Sequence, residues 1–381
     1  MRSFLFGLIL ISIMSCNSKN DQSKSQESAT KSDATSFYVG TYTNVKSLEQ
    51  GGSEGIYQYS IDENGVLAKI GLAAKSASPS FLAKTSDNKY VVAVNEINTN
   101  EGNGTVESYV IEGDQLKKLS SSSSGGAHPC HISINSGGQV IVANYSGGNV
   151  GLLNISKNGT LSDLLDVQQH IGKGNHERQE APHAHSSWFR PDGRGVVSVD
   201  LGSNELWFSE IENNKFIPHQ ESKLAMNPEA GPRHIDFHPN GKFLYVLNEL
   251  ENRVGLVLLQ KDGSYILGDT YSMLPDGFTD YSKGADIHLS RDGKFLYASN
   301  RGHNSIAIFE INETDGSLSM VGTESTKGDS PRNFQLALDD NYLVVANQNS
   351  DNIVCFKRNT KTGKLTYVSQ VDAPAPVCLL F

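Results

Sequence analysis

Apolar residues in this chain come in short runs that stop on an asparagine or aspartate: VVAVNE at Asn95, VIVANY at Asn144, VVSVD at Asp200, FLYVLNE at Asn248, FLYASNR at Asn300 and LVVANQ at Asn347. Successive stops lie between 47 and 56 residues apart, and a further copy, FYVGTY, occupies Phe37 to Tyr42. A period of this length marks a repeat architecture. Within one repeat, Arg233 to His238 reads as a strand and Pro239-Asn240-Gly241 as a turn. Further strands follow at Lys242 to Asn248, Arg253 to Gln260 and Ser264 to Tyr271, with Asp262-Gly263 between the last two. Four short antiparallel strands make one propeller blade. Seven copies therefore predict an all-β, seven-bladed propeller over 37–381.

The first copy has two strands after it (Ile56 to Ile61, Val66 to Leu72) and none before it, whereas Val377 to Phe381 is left over at the other end. That last strand is expected to complete the first blade from the inside, closing the ring and covering a sheet edge. WD-type repeats fit less well: there is no Trp-Asp dipeptide, and Trp188 and Trp207 share one repeat.

Residues 1–16 carry Arg2 and an apolar run from Phe4 to Met14 that is too short to cross a bilayer. They end Ile13-Met14-Ser15-Cys16, as a lipoprotein-type signal does, with Cys16 the lipidated residue. Residues 17–36 are polar and read as a disordered tether. Membrane association is thus expected through this lipid anchor alone, on the periplasmic or outer-membrane side of the envelope. A cytoplasmic place is the alternative if the substrate class decides it. The formal charge of −10 argues against nucleic-acid or anionic-membrane partners. Cys130, Cys355 and Cys378 lie in apolar runs with no disulfide or metal spacing, so buried thiols are expected. A monomer is expected.

Because the first two strands of a blade are antiparallel, the start of the first and the end of the second share one face. Strand starts carry Pro79, Pro129, Pro182, Pro232, Pro331 and Pro376, as a residue without a donor suits a strand start. Around them stand His128, His131, His183, His185, Arg233, His234 and Arg332. The second-strand ends add Glu96, Tyr145, Glu249, Arg301 and Gln348, and the long segments Asp163 to Ala181 and Leu274 to Gly284 feed the same rim. Such a rim suits an anionic small molecule. Arg233, Arg301 and Arg332 offer planar forks for a carboxylate, phosphate or oxyanion, and Glu249 or His185 offers a proton acceptor. No Gly-x-Ser-x-Gly elbow supports a covalent serine route. His128, His131, His183 and His185 are metal-ligand types, but no carboxylate cluster accompanies them, so no metal is expected. A plainer reading makes Arg233 and Glu249 an ion pair between blades, and has His131 and His234 hydrogen-bonding strand ends beneath the rim.

Five stretches on this face resemble the seven-bladed propeller lactonases. They are His128-Pro-Cys-His131, Ala181-Pro-His-Ala-His185, Gly231-Pro-Arg-His234, Ala285-Asp-Ile-His-Leu-Ser with Ala298-Ser-Asn-Arg-Gly-His-Asn304, and Ser330-Pro-Arg-Asn-Phe334. The family includes propeller-type 6-phosphogluconolactonases and carboxy-muconate lactonizing enzymes. The resemblance implies hydrolysis of a sugar lactone without cofactor, with His185, Arg233, Glu249 and Arg301 as the catalytic set. His128, His131, His183, His234, Arg332 and Gln348 would line the substrate. The alternatives are a muconate-type lyase or isomerase on the same rim, and a non-catalytic binding propeller tethered at the envelope.

Overall fold

The computed structural model describes residue 1 and residues 34–44, 52–193 and 195–381, excepting the side chains of 220 and 221. The expected signal, Cys16 and most of the tether lie outside the described residues. Among those described, 28 strands form seven four-stranded antiparallel sheets. Blade 1 comprises Thr35–Thr41, Gly55–Ile61 and Leu67–Lys75, with Pro376–Leu380 as its innermost strand. Blades 2 to 7 follow as 81–123, 129–169, 184–225, 232–272, 283–325 and 331–372. The expected closure is therefore observed, with Tyr38 facing Leu380 and Gly40 facing Cys378 in the ladder.

The second strands read as continuous apolar runs because both of their faces are covered. Val91, Val92, Ala93 and Val94 are all fully buried. Fourth strands face water and are mixed, which is why one of them was not recognisable. Asp166–Gln169, expected to be loop, is the outermost strand of blade 3, and its sequence is too short and polar to show alternation. Seven apolar clusters lie one at each junction of neighbouring blades, the last joining blade 7 to blade 1. The FLY triplets serve these junctions. Tyr245 donates to the carbonyl of Gly316 (2.8 Å) and Tyr297 to that of Gly363 (2.9 Å). A Cβ on Gly316 would come within 2.9 Å of the Phe243 ring, and one on Gly363 within 2.5 Å of Phe295. Glycine is needed there for space and for its positive φ.

The recurring asparagine has a physical cause. Each is buried, and four of the five amides donate to the linker leaving the preceding blade: Asn95 to Ala77 (2.8 Å), Asn144 to Ser124 (2.9 Å), Asn300 to Met273 (2.9 Å) and Asn347 to Thr326 (3.1 Å), while Asn248 donates to Glu251 (2.7 Å). Such a carbonyl would otherwise lack a partner. In blade 4 the residue is Asp200, and the linker answers with a side chain: His170 Nδ1 lies 2.7 Å from its carboxylate. Asp200 also accepts from the backbone N–H of His183 (2.8 Å). His170, which carries no spacing signal in the sequence, thus has a structural place, stacked 4.1 Å from Trp207. The three cysteines are free and buried.

Candidate active site

A repeated irregularity aims side chains into the mouth of the ring. At the start of the innermost strands, Pro129, Pro232 and Pro331 pair with Asn144, Asn248 and Asn347, and the next paired residues are His131, His234 and Asn333. In blade 4, Ala184 pairs with Asp200 and then Ser186 with Val199. One residue is bulged out each time: Cys130, Arg233, Arg332 and His185. A bulge frees a residue from the ladder and redirects it. The residues just before these prolines, His128 (φ 52), Gly231 (φ 63) and Ser330 (φ 62), adopt left-handed conformations that turn the chain into the ring. For His128 and Ser330 this costs of order 1–3 kcal/mol, strain of the kind that collects at functional sites.

Glu249 is the centre of the constellation. Its carboxylate meets Arg178 Nη1 at 2.5 Å, Arg301 Nη2 at 2.9 Å, Arg233 Nε at 3.1 Å and His185 Nε2 at 4.0 Å. The Arg233–Glu249 pair lies within blade 5, not between blades, and Arg301 reaches it from blade 6. Burial alone would raise the Glu249 pKa, but Arg301, Arg233 and Arg178 hold it well below the usual carboxylate range. Burial, then Arg233, pushes His185 well below its ordinary value, so its imidazole is neutral at neutral pH. Burial, with Arg301 and Arg332, lowers Arg233 to about 9, which leaves it cationic.

The other expected residues separate into two levels. His183 is at the rim, stacked 4.5 Å from Tyr145 and hydrogen-bonded to the Tyr145 carbonyl (3.1 Å) and to Glu180 (3.1 Å). His128 pairs with the Ser146 hydroxyl (2.8 Å), and Gln348 is half-buried, its backbone N–H bonded to the Ser330 carbonyl (2.9 Å). Arg332 lies over the Tyr42 ring at 5.2 Å. His131 and His234 sit lower, both buried. His131 is packed against Phe81 and Trp188 at 4.4 Å each and accepts from the Ser187 N–H (3.3 Å). His234 Nδ1 is 2.7 Å from Asp286 while its Nε2 is 3.2 Å from Arg233 Nη1. With the Nδ1 proton donated to Asp286, Nε2 is the acceptor for Arg233. Arg233 also donates to the Ala285 carbonyl. Asp286 accepts further from Asn333 (2.5 Å), the Phe334 N–H (3.2 Å) and His288 (3.1 Å). A buried chain thus runs from Asp286 through His234 to Arg233 and Glu249, holding the guanidinium in place.

Sequence reasoning overlooked Arg178 and Lys283. Arg178 rides on a 3₁₀ turn, Glu177–Gln179, inside the long segment before blade 4, and also donates to the Tyr145 hydroxyl (2.9 Å). The only signal for it was the length of that segment. Lys283 opens the innermost strand of blade 6 opposite Arg301, at a strand start that lacks the proline marker. Burial, then Arg301, lowers it to about 8. Cys130 is buried, and burial pushes its thiol up, so it is no nucleophile at neutral pH.

The family profile "Lactonase, 7-bladed beta-propeller" matches residues 36–381. A Bacillus subtilis protein named 6-phosphogluconolactonase is 39% identical over 350 residues, spanning 90% of this chain and 97% of its own length. A 6-phosphogluconolactonase of Formosa agariphila is 32% identical, over 79% of this chain and 86% of its own. Among solved structures, the Pseudomonas aeruginosa periplasmic gluconolactonase superposes with a TM-score of 0.85 at 28% identity, covering 91% of this chain and 98% of that one.

Proposed function

This chain belongs to the seven-bladed β-propeller lactonases, and on that premise we propose that it is a hydrolase that opens sugar lactones bearing an anionic group, the class of 6-phosphogluconolactone. The observation that carries this reading is the charge balance of the mouth. Arg178, Arg233 and Arg301 are all committed to Glu249. Arg332 and Lys283 make no ion pair among the described residues, so positive charge is left over at a concave opening. A phosphate or carboxylate on the substrate supplies the missing counter-charge.

The roles of His185, Arg233, Glu249 and Arg301 follow from their surroundings. Glu249 stays ionised and anchors two guanidiniums through one oxygen. Preorganised donors of this kind stabilise an oxyanion without reorganising during the reaction. Arg233, fixed from behind by His234 and the Ala285 carbonyl, faces the lactone carbonyl as charge develops. His185 stays neutral and hydrogen-bonds the reacting oxygens. His128, His183, Arg332 and Gln348 hold the rest of the substrate, with His131 and His234 as the floor beneath it. The same reading puts the protein in the cell envelope, lipid-anchored at Cys16 through a tether ending near residue 36, and monomeric. A relative described as periplasmic supports that side of the membrane. Loss of radiolabelled fatty acid from a Cys16→Ser chain tests the anchor.

The test of function is acid release followed by pH-stat on glucono-1,5-lactone and its 6-phosphate, corrected for spontaneous hydrolysis. Turnover above the uncatalysed rate, with a higher kcat/KM for the phosphorylated lactone, is expected. Equal kcat/KM for the two would remove the anionic preference, and no turnover of either would remove the lactonase assignment.

A further inference from the structure

We propose that Glu96 is the general base that activates the attacking water, a role that rests on the lactonase reading above. Glu249 and Glu96 both stand at the mouth, and they are not equivalent. Both oxygens of Glu249 are engaged by guanidiniums, and its side chain is 2% exposed. A carboxylate stabilised that strongly as an anion has little tendency to take a proton. Glu96, at the end of the second strand of blade 2, is half-buried. Among the described residues its carboxylate accepts one hydrogen bond, from the Tyr42 hydroxyl (2.8 Å), and forms no ion pair.

Glu96 also shares a cavity with the groups a hydrolysis needs. One small cavity is lined by Glu96, Arg233, His234, Arg332, Asn333 and Cys130, among others. The space has room for about one water molecule, the size of the attacking nucleophile. Tyr42 orders one wall twice, donating to Glu96 and carrying Arg332 over its ring at 5.2 Å. The cavity thus brings a carboxylate that forms no ion pair together with the Arg233 guanidinium. Base and oxyanion donors around one space are the arrangement expected of a hydrolytic site.

The step balances without further reactants. Glu96 takes a proton from water as the water oxygen bonds to the lactone carbonyl carbon, and the carbonyl π pair moves onto oxygen beside Arg233. The tetrahedral intermediate collapses, the bond from the former carbonyl carbon to the ring oxygen breaks, and the ring oxygen takes the proton back from Glu96. The product is the open hydroxy acid, with the Glu96 carboxylate restored.

The experiment compares the full chain with its Glu96→Gln, Glu96→Ala and Tyr42→Phe variants on glucono-1,5-lactone 6-phosphate across pH. Glu96→Gln is expected to lower kcat by about 10²–10⁴-fold, to leave KM within a few fold, and to abolish the limb on which activity falls with acid. Added formate should restore part of the Glu96→Ala rate, which a purely structural role would not allow, and Tyr42→Phe should lower kcat by less than Glu96→Gln. A Glu96→Gln enzyme with wild-type kcat and an unchanged acid limb overturns the role while the lactonase reading stands. An unaltered chain with no lactonase turnover overturns both.

Discussion

At the scale of single residues, Glu249 organises the charges of the candidate site. Three guanidiniums converge on it in a water-poor site, so removing its charge leaves buried cations unpaired. Breaking such a buried arrangement costs about 3–5 kcal/mol. Glu249→Gln should therefore lower the unfolding free energy by that order, read from urea titration, and lower kcat/KM by about 10²-fold or more as Arg233 and Arg301 lose their fixed positions. The histidine column beneath it makes a separate prediction. Burial, then Arg233, lowers His234 from 6.5 to about 4 in the fold. The unfolded chain thus takes up a proton near pH 6.5 that the folded chain refuses until about 4, so stability is lost as pH falls through that window. His234 alone accounts for about 3 kcal/mol, and His131 and His185, shifted the same way, add to it. Burial lowers His288 but Asp286 outweighs it, and its contribution is already complete below pH 6.5. Asp236, raised by burial to about 6, adds stability as pH falls and offsets part of the loss. The net fall rests on His131 and His185 together with His234. The thermal midpoint should fall between pH 6.5 and 4, and His234→Asn should flatten that fall.

At the scale of elements, the decisive piece is the strand Pro376–Leu380. It supplies the channel-side edge of blade 1 and adds Leu379, 2% exposed, to the apolar seam with blade 7. Without it, the N–H and C=O groups of Thr35–Thr41 face an open edge, and the apolar cluster of the seam is uncovered. Deleting residues 376–381 should abolish cooperative unfolding and shift the product to the insoluble fraction. Leu379→Ala, which keeps the ladder, should cost about 2–5 kcal/mol. A deletion that unfolded with the wild-type midpoint would mean that the ring does not need its seam.

At the scale of the whole molecule, a chain of net charge −10 presents a cationic opening. On the proposed reading, the bulk of the surface repels an anionic lactone while the mouth attracts it, so guidance is short-ranged and sensitive to salt. Raising NaCl from 50 to 500 mM should cut kcat/KM several-fold for the phosphorylated lactone and leave neutral gluconolactone almost unaffected. An equal response of both substrates would place the leftover charge of Arg332 and Lys283 outside the binding step.

The sequence by itself determined the blade count, the ring closure and the face on which the candidate site residues collect. Each of these depends on local antiparallel pairing that repeats, and local pairing writes itself as runs, turns and a recurring Asn95-type cap. Only the tertiary structure decided which groups meet. Arg178 reaches Glu249 across 71 positions of chain, from a turn that no periodicity marks. Bulges rather than regular alternation aim His185, Arg233 and Arg332 into the opening, and a bulge is a slip of register that a residue pattern does not record. The unequal fates of Glu96 and Glu249 have the same origin. Both follow a strand-ending asparagine, and their different chemistry comes from the neighbours that folding packs around each.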